Sequence, residues 1–489
     1  MNQPAIVPET VSSPVGLHRA VEAAAEHDYR VPMAAIRGQL PAELRGTFFR
    51  IGPGRYGIGG QAFGHAFDGD GMLHSVTFGD GGVDYRNRFV RTPKYEAETA
   101  AGRIKYRSLG HNAPGGWRRN IGKQPANCAN TNLMWHGGHL LALWEGGRPY
   151  ELDPATLETL GEFDYGGRLN RFNAFSAHGK VDPRTGHYYN FGVGIGPRGP
   201  GIHVYRVDPR GCLDRKGYFP IGSLPFCHDF ALTEHYAVFF VSPLQVRNPA
   251  RALLGLETYM DAFSFEAHKA TRVFVFSLAS FELVRTFETE AFIPIHYANC
   301  WEEGRELVIH VTRFNDWDKI TRTLTAPARQ VNGYDFADND KSALWRYRLN
   351  LGTGRVSYEA LPGHDNIEFM QWDFRRTGAA SNITYANAAL PHAGSYTFNA
   401  VQRQDHDTGE HRLRDFGPGV MISEAVFAPR EKAAVEGDGY LITAVYRAAS
   451  HTTDIVVLHA ETLDELAVVP LRTHIPVGFH CGYTSRSFR

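Results

Sequence analysis

The sequence predicts an all-β protein built as a β-propeller, and three observations lead to this prediction. The chain has 489 residues, more than the roughly 250–300 residues at which a single hydrophobic core stops growing. Short runs rich in β-branched and aromatic residues recur along it, and Gly, Pro, Asn or Asp bound most of them, as they bound strands. Turns of similar sequence join these runs. At about 45–70 residues for each four-stranded blade, six to eight blades would fit this length.

The strands and turns behind this prediction form two sets. Six apolar runs are typical of strands, at residues 140–144, 238–241, 272–276, 307–311, 440–445 and 455–458. Six turns resemble one another, at residues 152–156, 181–186, 207–211, 349–354, 407–409 and 460–463. Most of these turns carry Asp or Asn near their start, whose side chain bonds to the backbone that follows. Two β-sandwich domains are the alternative, but no Pro/Ser-rich linker or charge block divides the chain.

The N-terminal residues differ in pattern from the rest. Residues 17–25 predict one short helix after Pro14, and helical periodicity then almost disappears. We therefore expect residues 1–29 to be an N-terminal extension that contains a short helix. Residues 30–489 are expected to form a single β-propeller domain.

The composition excludes several classes of protein. Lys and Arg number 51 and Asp and Glu 52, so the chain lacks the basic field of a nucleic-acid-binding protein, and no such partner is expected. No apolar run approaches the ~18–20 residues of a membrane helix, and the first residues lack the apolar core of a secretory signal. Five cysteines, an odd number without a C-x-x-C pair, argue against a disulfide framework and favour the reducing cytoplasm.

One segment, residues 244–259, interrupts the strand pattern with an amphipathic, basic sequence. It is either an excursion that connects blades or a surface that dips into lipid. The second interpretation would make the cytoplasmic protein peripheral at a membrane. The two interpretations stand equal at this point.

Four of the 23 histidines lie at the edges of apolar or aromatic runs, and they are candidate metal ligands. Their separations correspond to one blade, one blade and several blades. Because the first strand of each blade lines the axis of a propeller, these side chains would converge on one point. Neutral imidazoles suit Zn, Cu, Fe and Ni. Any one of these residues taken alone is more often a hydrogen-bonded core histidine. The four are His178, His228, His296 and His480.

Three glutamates lie in apolar surroundings, namely Glu145, Glu368 and Glu424. A carboxylate is almost never buried without a partner. These residues therefore either form ion pairs with core arginines or accept the free N–H of metal-binding histidines. The second arrangement would fix each ring and raise its basicity.

With these residues in view, the sequence resembles the carotenoid cleavage oxygenase family, from about residue 30 to the C-terminus. Several separate motifs carry the resemblance, and they occur in the family's order. They are I-R-G-Q-L-P-A-E-L-R-G at 36–46, R-I-G-P-G at 50–54, F-D-G-D-G-M at 67–72, A-N-T-N at 129–132 and E-G-D-G-Y at 436–440.

The resemblance implies a seven-bladed propeller with a helical cap over one face. It implies one Fe(II) for each chain, held on the axis by the four histidines named above, with the three glutamates behind them. Thr131 matches a residue that lies near an open iron position. The reaction implied is cleavage of a C=C double bond by O₂, which yields two aldehydes from a hydrophobic polyene.

The substrate is less narrowly defined. Stilbene-cleaving members of the family typically carry Lys just before the first glutamate, whereas this chain has Trp144, a flat apolar wall with one weak donor. This difference favours an apocarotenoid or carotenoid. A stilbene- or phenylpropenoid-cleaving dioxygenase and a non-catalytic carotenoid-binding propeller are the alternatives. The expected substrate tunnel, for which ordinary core packing is the competing interpretation, comprises Phe67, Trp117, Trp144, Phe226 and Ile295.

Overall fold

The protein is a seven-bladed β-propeller. The computed structural model describes residues 16–329, 341–391, 398–432 and 434–489. Within these residues the chain forms five four-stranded sheets, one five-stranded sheet and one six-stranded sheet, and each of these seven sheets is one blade. All strand pairs are antiparallel, and almost all join strands that are close in sequence. The predicted fold class is therefore confirmed, and the alternative of two sandwich domains is wrong.

The strands of each blade are given from the innermost outwards, with the blades numbered from the one that holds the first strand. Blade 1 comprises Cys481–Thr484, Gly46–Arg55, Asp70–Gly79, Gly82–Phe89 and His27–Pro32. Blade 2 comprises Asn132–His136, His139–Leu143, Tyr150–Leu152 and Thr159–Glu162. Blade 3 comprises Lys180–Val181, Tyr188–Gly196, Gly199–Val207 and Leu213–Pro220. Blade 4 comprises Ala231–Leu232, Tyr236–Val241, Thr271–Ser277 and Leu283–Thr289.

The remaining blades follow the same pattern. Blade 5 comprises Ile293–Glu303, Glu306–Phe314, Ala343–Asn350 and Val356–Ala360. Blade 6 comprises Ile367–Gln371, Ile383–Ala388, Ala400–Asp405 and His411–Asp415. Blade 7 comprises Val420–Ile422 and Val426–Pro429, which share one neighbour, then Gly439–Arg447, Thr452–His459, Glu465–Pro470 and Arg37–Gly38. Two ribbons lie outside the blades, Gly57–Ile58 with Gln61–Ala62 and Leu244–Val246 with Phe263–Phe265.

The turns between strands confirm the mechanism that the sequence suggested. Asp153, Asp182, Asp208 and Asn350 each accept backbone N–H groups from residues two to four positions further on. In the turn at 407–409 the accepting carboxylate belongs to Asp405, two residues earlier than expected. All six apolar runs lie in strands, although the first strand ends at Leu143.

The N-terminal segment differs from the expected extension. Its helix is a single 3₁₀ turn, Leu17–Val21, rather than a helix that continues to residue 25. The strand His27–Pro32 pairs with Gly82–Phe89 along its whole length, so blade 1 begins before residue 30. Residues 1–15 lie outside the described part of the chain.

The helices gather on one face of the propeller. Because neighbouring strands run antiparallel, the connections after the second and fourth strands of a blade emerge on the face where the innermost strand begins. The long connections of this kind carry the α-helices Pro93–Ala101, Trp117–Asn120, Pro249–Leu253 and Trp317–Arg329 and the 3₁₀ turn Ala66–Asp68. Two further 3₁₀ turns, Met33–Ala35 and Phe374–Arg376, lie elsewhere. The cap over one face is therefore confirmed.

The two ends of the chain close the ring of blades. The strand Cys481–Thr484 pairs with Gly46–Arg55, so the last strand completes the first blade. Gly46 lies at the end of this pairing with a φ of +108°, and a Cβ atom there would meet the carbonyl oxygen of Thr484 at 2.2 Å. Closure of the ring therefore requires glycine at this position.

We expect Gly46→Ala to destabilise the protein more than Gly60→Ala. Gly60 also has a positive φ, +75°, but a Cβ there would meet nothing within 4 Å. The control should lose about 1–2 kcal/mol from backbone strain alone, whereas Gly46→Ala also displaces the closing strand. Thermal melting of the two variants checks this expectation. Equal losses would contradict the role of Gly46 in ring closure.

Candidate metal centre

The structure brings the four candidate histidines together from four blades. His178 and His228 lie just before the innermost strands of blades 3 and 4, His296 lies within that of blade 5, and His480 directly precedes that of blade 1. Their candidate ligand atoms all lie within 4.8 Å of one another, and all four residues are buried. Among the described residues, this is the group of side chains whose geometry could hold a metal ion.

The four rings face one another closely. The ring centroids of His178 and His228 are 4.2 Å apart, and those of His296 and His480 are 4.9 Å apart. The Nε2 atoms of His228 and His296 are separated by 3.1 Å. One proton can join only two of these nitrogens, whereas one metal cation can satisfy all four. The donor set therefore fits a metal that accepts imidazole ligands.

Three carboxylates lie behind the rings. His296 Nδ1 bonds to Glu368 Oε2, and His480 Nδ1 donates to Glu424 Oε2 at 3.2 Å. Glu145 Oε1 lies 3.3 Å from His228 Nδ1 and 3.4 Å from His178 Nε2. A ring that donates its Nδ1 proton to a carboxylate keeps the Nε2 lone pair free for a metal.

Two of the carboxylates are anchored on their other side. Glu424 also accepts from the backbone N–H of Cys481 at 2.6 Å and from Gln371 Nε2 at 2.8 Å. Glu368 accepts from Thr312 Oγ1 at 2.8 Å. Within the described residues, Glu145 Oε1 is buried without a hydrogen bond of good geometry. Glu145 is therefore held mainly by the two rings that it faces.

The pKa values of the carboxylates follow from these surroundings. Burial, and to a lesser extent Asp229, raises the pKa of Glu145 well above its usual range. Burial would also raise the pKa of Glu424, but His480 and the hydrogen bonds to its carboxylate outweigh this effect and lower it. Glu424 is thus stabilised as an anion beside its ring, whereas Glu145 needs a nearby positive charge to ionise.

The pKa values of the histidines favour the neutral, metal-binding form at two positions. Burial lowers the pKa of His178 and of His228 well below the usual value of 6.5, and the neighbouring rings add to this effect. Burial also acts on His296, but the charge and hydrogen bond of Glu368 outweigh it and raise the pKa. Neutral imidazole is the form that binds metals.

Thr131 lies beside the histidine cluster. It is 1% exposed, and its carbonyl oxygen accepts the backbone N–H of His480 at 3.4 Å. Its hydroxyl group donates to Asn130 Oδ1 at 3.1 Å. The hydrogen bond to His480 places Thr131 against the histidine that directly precedes the ring-closing strand Cys481–Thr484.

Of the five expected tunnel residues, Phe67 and Trp144 are buried, and Phe226 and Ile295 are partly buried. Phe226 and Ile295 pack into one apolar cluster, and the Phe226 ring stacks on His228 at a centroid distance of 5.9 Å. Phe67 packs on Phe479, the neighbour of His480 in sequence. Trp144 is 2% exposed and precedes Glu145. The other members of the cluster include Leu109, Leu244, Met260, Phe263, Ile293, Trp317 and Ile320.

Trp117 is the exception among the expected tunnel residues. It lies in the short helix Trp117–Asn120 and is 48% exposed. The structure therefore does not bring it together with the other four. Trp117 instead lies on the surface of the cap.

Sequence reasoning missed one aromatic residue at the site. Phe369 packs between His296 and His480, with centroid distances of 5.5 and 5.1 Å. Its φ is +58°, which is uncommon for a bulky residue. Its backbone N–H donates to Glu368 Oε2 at 3.0 Å. The only sequence signal for Phe369 was its position next to Glu368. The strained backbone that orients its ring towards the histidines follows from the fold.

The fold and the site together define a propeller protein with a candidate four-histidine metal centre where the inner strands meet. The sequence model of the RPE65 family, the retinal pigment epithelial membrane protein family, matches residues 21–485. The chain therefore belongs to this family, that of the carotenoid cleavage oxygenases.

Individual relatives span nearly the whole chain. The apocarotenoid-15,15'-oxygenase of Synechocystis sp. is 31% identical over 93% of this chain and 93% of its own length. The isoeugenol monooxygenase of Pseudomonas putida is 29% identical over 92% of this chain and 94% of its own. The structure of cobalt-substituted Synechocystis ACO superposes with a TM-score of 0.88 and 30% identity, over 97% of this chain and 100% of that one.

We expect Glu424→Gln to weaken metal binding by about 10–100-fold, the range typical of groups behind metal ligands. The amide keeps the shape of the side chain but removes the charge beside His480. Titration of the metal-free protein with Co²⁺ measures this effect. The matched control is Glu359→Gln, because Glu359 is exposed in blade 5. Equal affinity in the two variants would show that Glu424 serves the fold rather than the metal.

Proposed function

We propose that the protein is an Fe(II)-dependent oxygenase that uses O₂ to cleave a C=C double bond of an apocarotenoid or carotenoid into two aldehydes. The observation that carries this proposal is the buried cluster of four imidazoles, with three carboxylates behind it, beside an apolar cluster. Membership of the carotenoid cleavage oxygenase family supports it, as does the similarity to an apocarotenoid oxygenase over 93% of the chain.

The residues present fit Fe(II). His178, His228, His296 and His480 would hold the ion through neutral nitrogens, and the three glutamates would balance its charge without binding it. Bound Fe(II) would supply the O₂ chemistry that no amino-acid side chain provides. Zinc also accepts imidazole ligands, so the metal content must be measured before activity is assigned.

The side chains of this chain would bind and orient the substrate. The apolar cluster begins at Phe226, which stacks on His228, and continues into the cap through Trp317. A polyene that lies along these side chains would be held beside the metal with one double bond in position. Holding it there contributes to catalysis by orientation, and the apolar walls exclude water from the reacting atoms.

A phenylpropenoid is the second candidate substrate, because a relative of nearly equal length is an isoeugenol monooxygenase. Trp144 favours the polyene. It occupies the position before Glu145 and presents an apolar ring, whereas a phenol oxygen would require a charged or strongly polar partner. The carboxylates arranged behind the histidines argue against a non-catalytic binding protein, which has no need of them.

We expect the protein loaded with Fe(II) under anaerobic conditions to convert apocarotenals to two aldehydes when O₂ is admitted. His296→Ala should abolish turnover and lower the iron content, because it removes one of four donors. His235→Ala is the control, since His235 is 65% exposed on blade 4. Mass spectrometry of the products, with isoeugenol and a hydroxystilbene tested in parallel, provides the measurement. Faster turnover of the phenolic substrates would overturn the choice of substrate, and full activity of His296→Ala would overturn the metal site.

We further propose that the protein contacts a membrane surface through its cap. Leu253, Leu254 and Leu256 are 49%, 39% and 51% exposed. Trp117 and Ile121 are exposed as well, and the hydrogen bond from Gly122 N–H to Leu253 O at 2.9 Å places the two segments side by side. We call these five exposed side chains the cap patch. The basic residues in the same two segments are Arg118, Arg119, Lys123, Arg247 and Arg251.

An exposed apolar patch with basic neighbours is typical of a protein that lies on a lipid surface. Among the helices that the structure describes, none is long and apolar enough to span a bilayer. Contact through the cap patch would bring the cap, where the apolar cluster lies, to the phase in which a polyene dissolves. The patch includes part of residues 244–259, the segment that the sequence singled out, and adds Trp117 and Ile121.

We expect the double substitution Leu253→Glu/Leu254→Glu to weaken binding to anionic liposomes by about tenfold or more. Burying one leucine side chain in an apolar phase is worth about 1.5–3 kcal/mol, and each glutamate also repels the lipid headgroups. Leu160→Glu is the control, because Leu160 is 62% exposed on the outer strand of blade 2. Sedimentation with liposomes measures the binding. Equal binding of both variants would contradict the membrane contact.

A further inference from the structure

The N-terminal 3₁₀ turn, Leu17–Val21, packs against the loop that leads to His480. Leu17, Ala20 and Val21 are buried, with 3%, 0% and 2% of their surface exposed. These residues precede the first strand of the propeller, and the sequence predicted that they belong to an extension outside the domain. Their burial shows instead that they belong to its interior.

The loop at residues 476–480 has no regular secondary structure, so its position depends on individual contacts. On one side it meets blade 1. The carbonyl oxygen of His480 accepts the backbone N–H of Ile51 at 3.0 Å, and Phe479 N–H donates to Ile51 O at 3.3 Å. Gly52 and Gly478 approach so closely that a Cβ atom on Gly52 would lie 2.6 Å from the Gly478 Cα.

The N-terminal turn supplies contacts on another side of the same loop. Val477 N–H donates to the carbonyl oxygen of Ala20 at 2.8 Å. The Val477 carbonyl oxygen accepts from the hydroxyl group of Tyr56 at 2.6 Å. Val21 packs with Tyr56 in an apolar cluster that Phe479 also touches. The residues directly before His480 are therefore held between a strand of blade 1 and the N-terminal turn.

The same turn also reaches the segment that precedes Glu424. Leu17 packs in one cluster with Met421, Tyr446 and Ala448, and Val477 lies against this cluster. Met421 belongs to the strand Val420–Ile422, which ends two residues before Glu424. The cluster that contains Leu17 therefore links the segments that carry a candidate ligand and its carboxylate partner.

We infer that Leu17 and Val21 are positioning residues for the metal centre, which hold the His480 loop and the Glu424 segment in register with each other. Neither residue touches the metal site itself; they act through Val477, Phe479 and Met421. The inference rests on the metal centre of the proposed function and goes beyond it. It assigns a role at the site to residues that lie before the first strand, and Leu17 lies outside the part of the chain that the family model matches, residues 21–485.

The test measures the rate at which three variants release Co²⁺. This ion serves as the probe because it has its own absorption spectrum. Leu17→Ala should release Co²⁺ about tenfold faster, at the lower end of the range for groups behind metal ligands, and should change the Co²⁺ spectrum. Leu17→Met should restore both, because Met has a similar volume. Leu349→Ala is the control for lost stability. Leu349 is fully buried in blade 5, where it pairs with Leu307 and Val356.

The two possible failures can be told apart. If Leu17→Ala and Leu349→Ala release Co²⁺ at the same rate with unchanged spectra, the turn serves general stability and the inference is wrong. If Leu17→Ala does not fold, Val21→Ala carries the same comparison against Val275→Ala, since both valines are buried. Wild-type protein that fails to bind Co²⁺, Fe²⁺ or Zn²⁺ would overturn the metal centre, and the inference with it.

Discussion

Closure of the ring of blades brings four imidazole rings face to face in a buried site, and the candidate metal centre depends on this closure. The inward nitrogens can be satisfied together by a cation, and burial keeps at least two of the rings neutral and able to bind one. Each ring comes from a different blade. The site therefore exists only when the ring of blades is closed. The pairing of Cys481–Thr484 with Gly46–Arg55 achieves closure, and the adjacent His480 is placed by the same event.

The three carboxylates behind the rings differ in how they are held. Glu424 and Glu368 each have further donors, whereas Glu145 faces two rings and depends on them. A doubly charged cation would be nearly balanced by these three groups, which explains how so many ionisable side chains tolerate burial. The pKa of Glu145, raised by burial, is the value most sensitive to a bound cation, because no other positive group contacts this carboxylate among the described residues.

Two motifs that identify the family contain residues that hold the fold together. In the F-D-G-D-G-M motif, Asp70 accepts from Lys94 at 2.9 Å and from Arg55 at 2.6 Å, and Lys94 also pairs with Glu98. This buried network fixes the helix Pro93–Ala101 of the cap onto blade 1. The A-N-T-N motif contributes in the same way, since Asn130 Nδ2 donates to the carbonyl oxygens of Phe67 and Gly69.

The sequence alone predicted the repeating strands, the family and a candidate site of four histidines and three glutamates. Strand periodicity, turn chemistry and polar residues in apolar runs are local signals, because residues close together in the sequence carry them. The remaining features follow from the folded chain: which carboxylate faces which ring, the orientation of the Phe369 ring, the exposure of Trp117 and the burial of Leu17. Each of these depends on contacts between residues far apart in the chain. Leu17 and Met421 lie far apart in the chain but pack in one cluster, and no local sequence pattern predicts that packing.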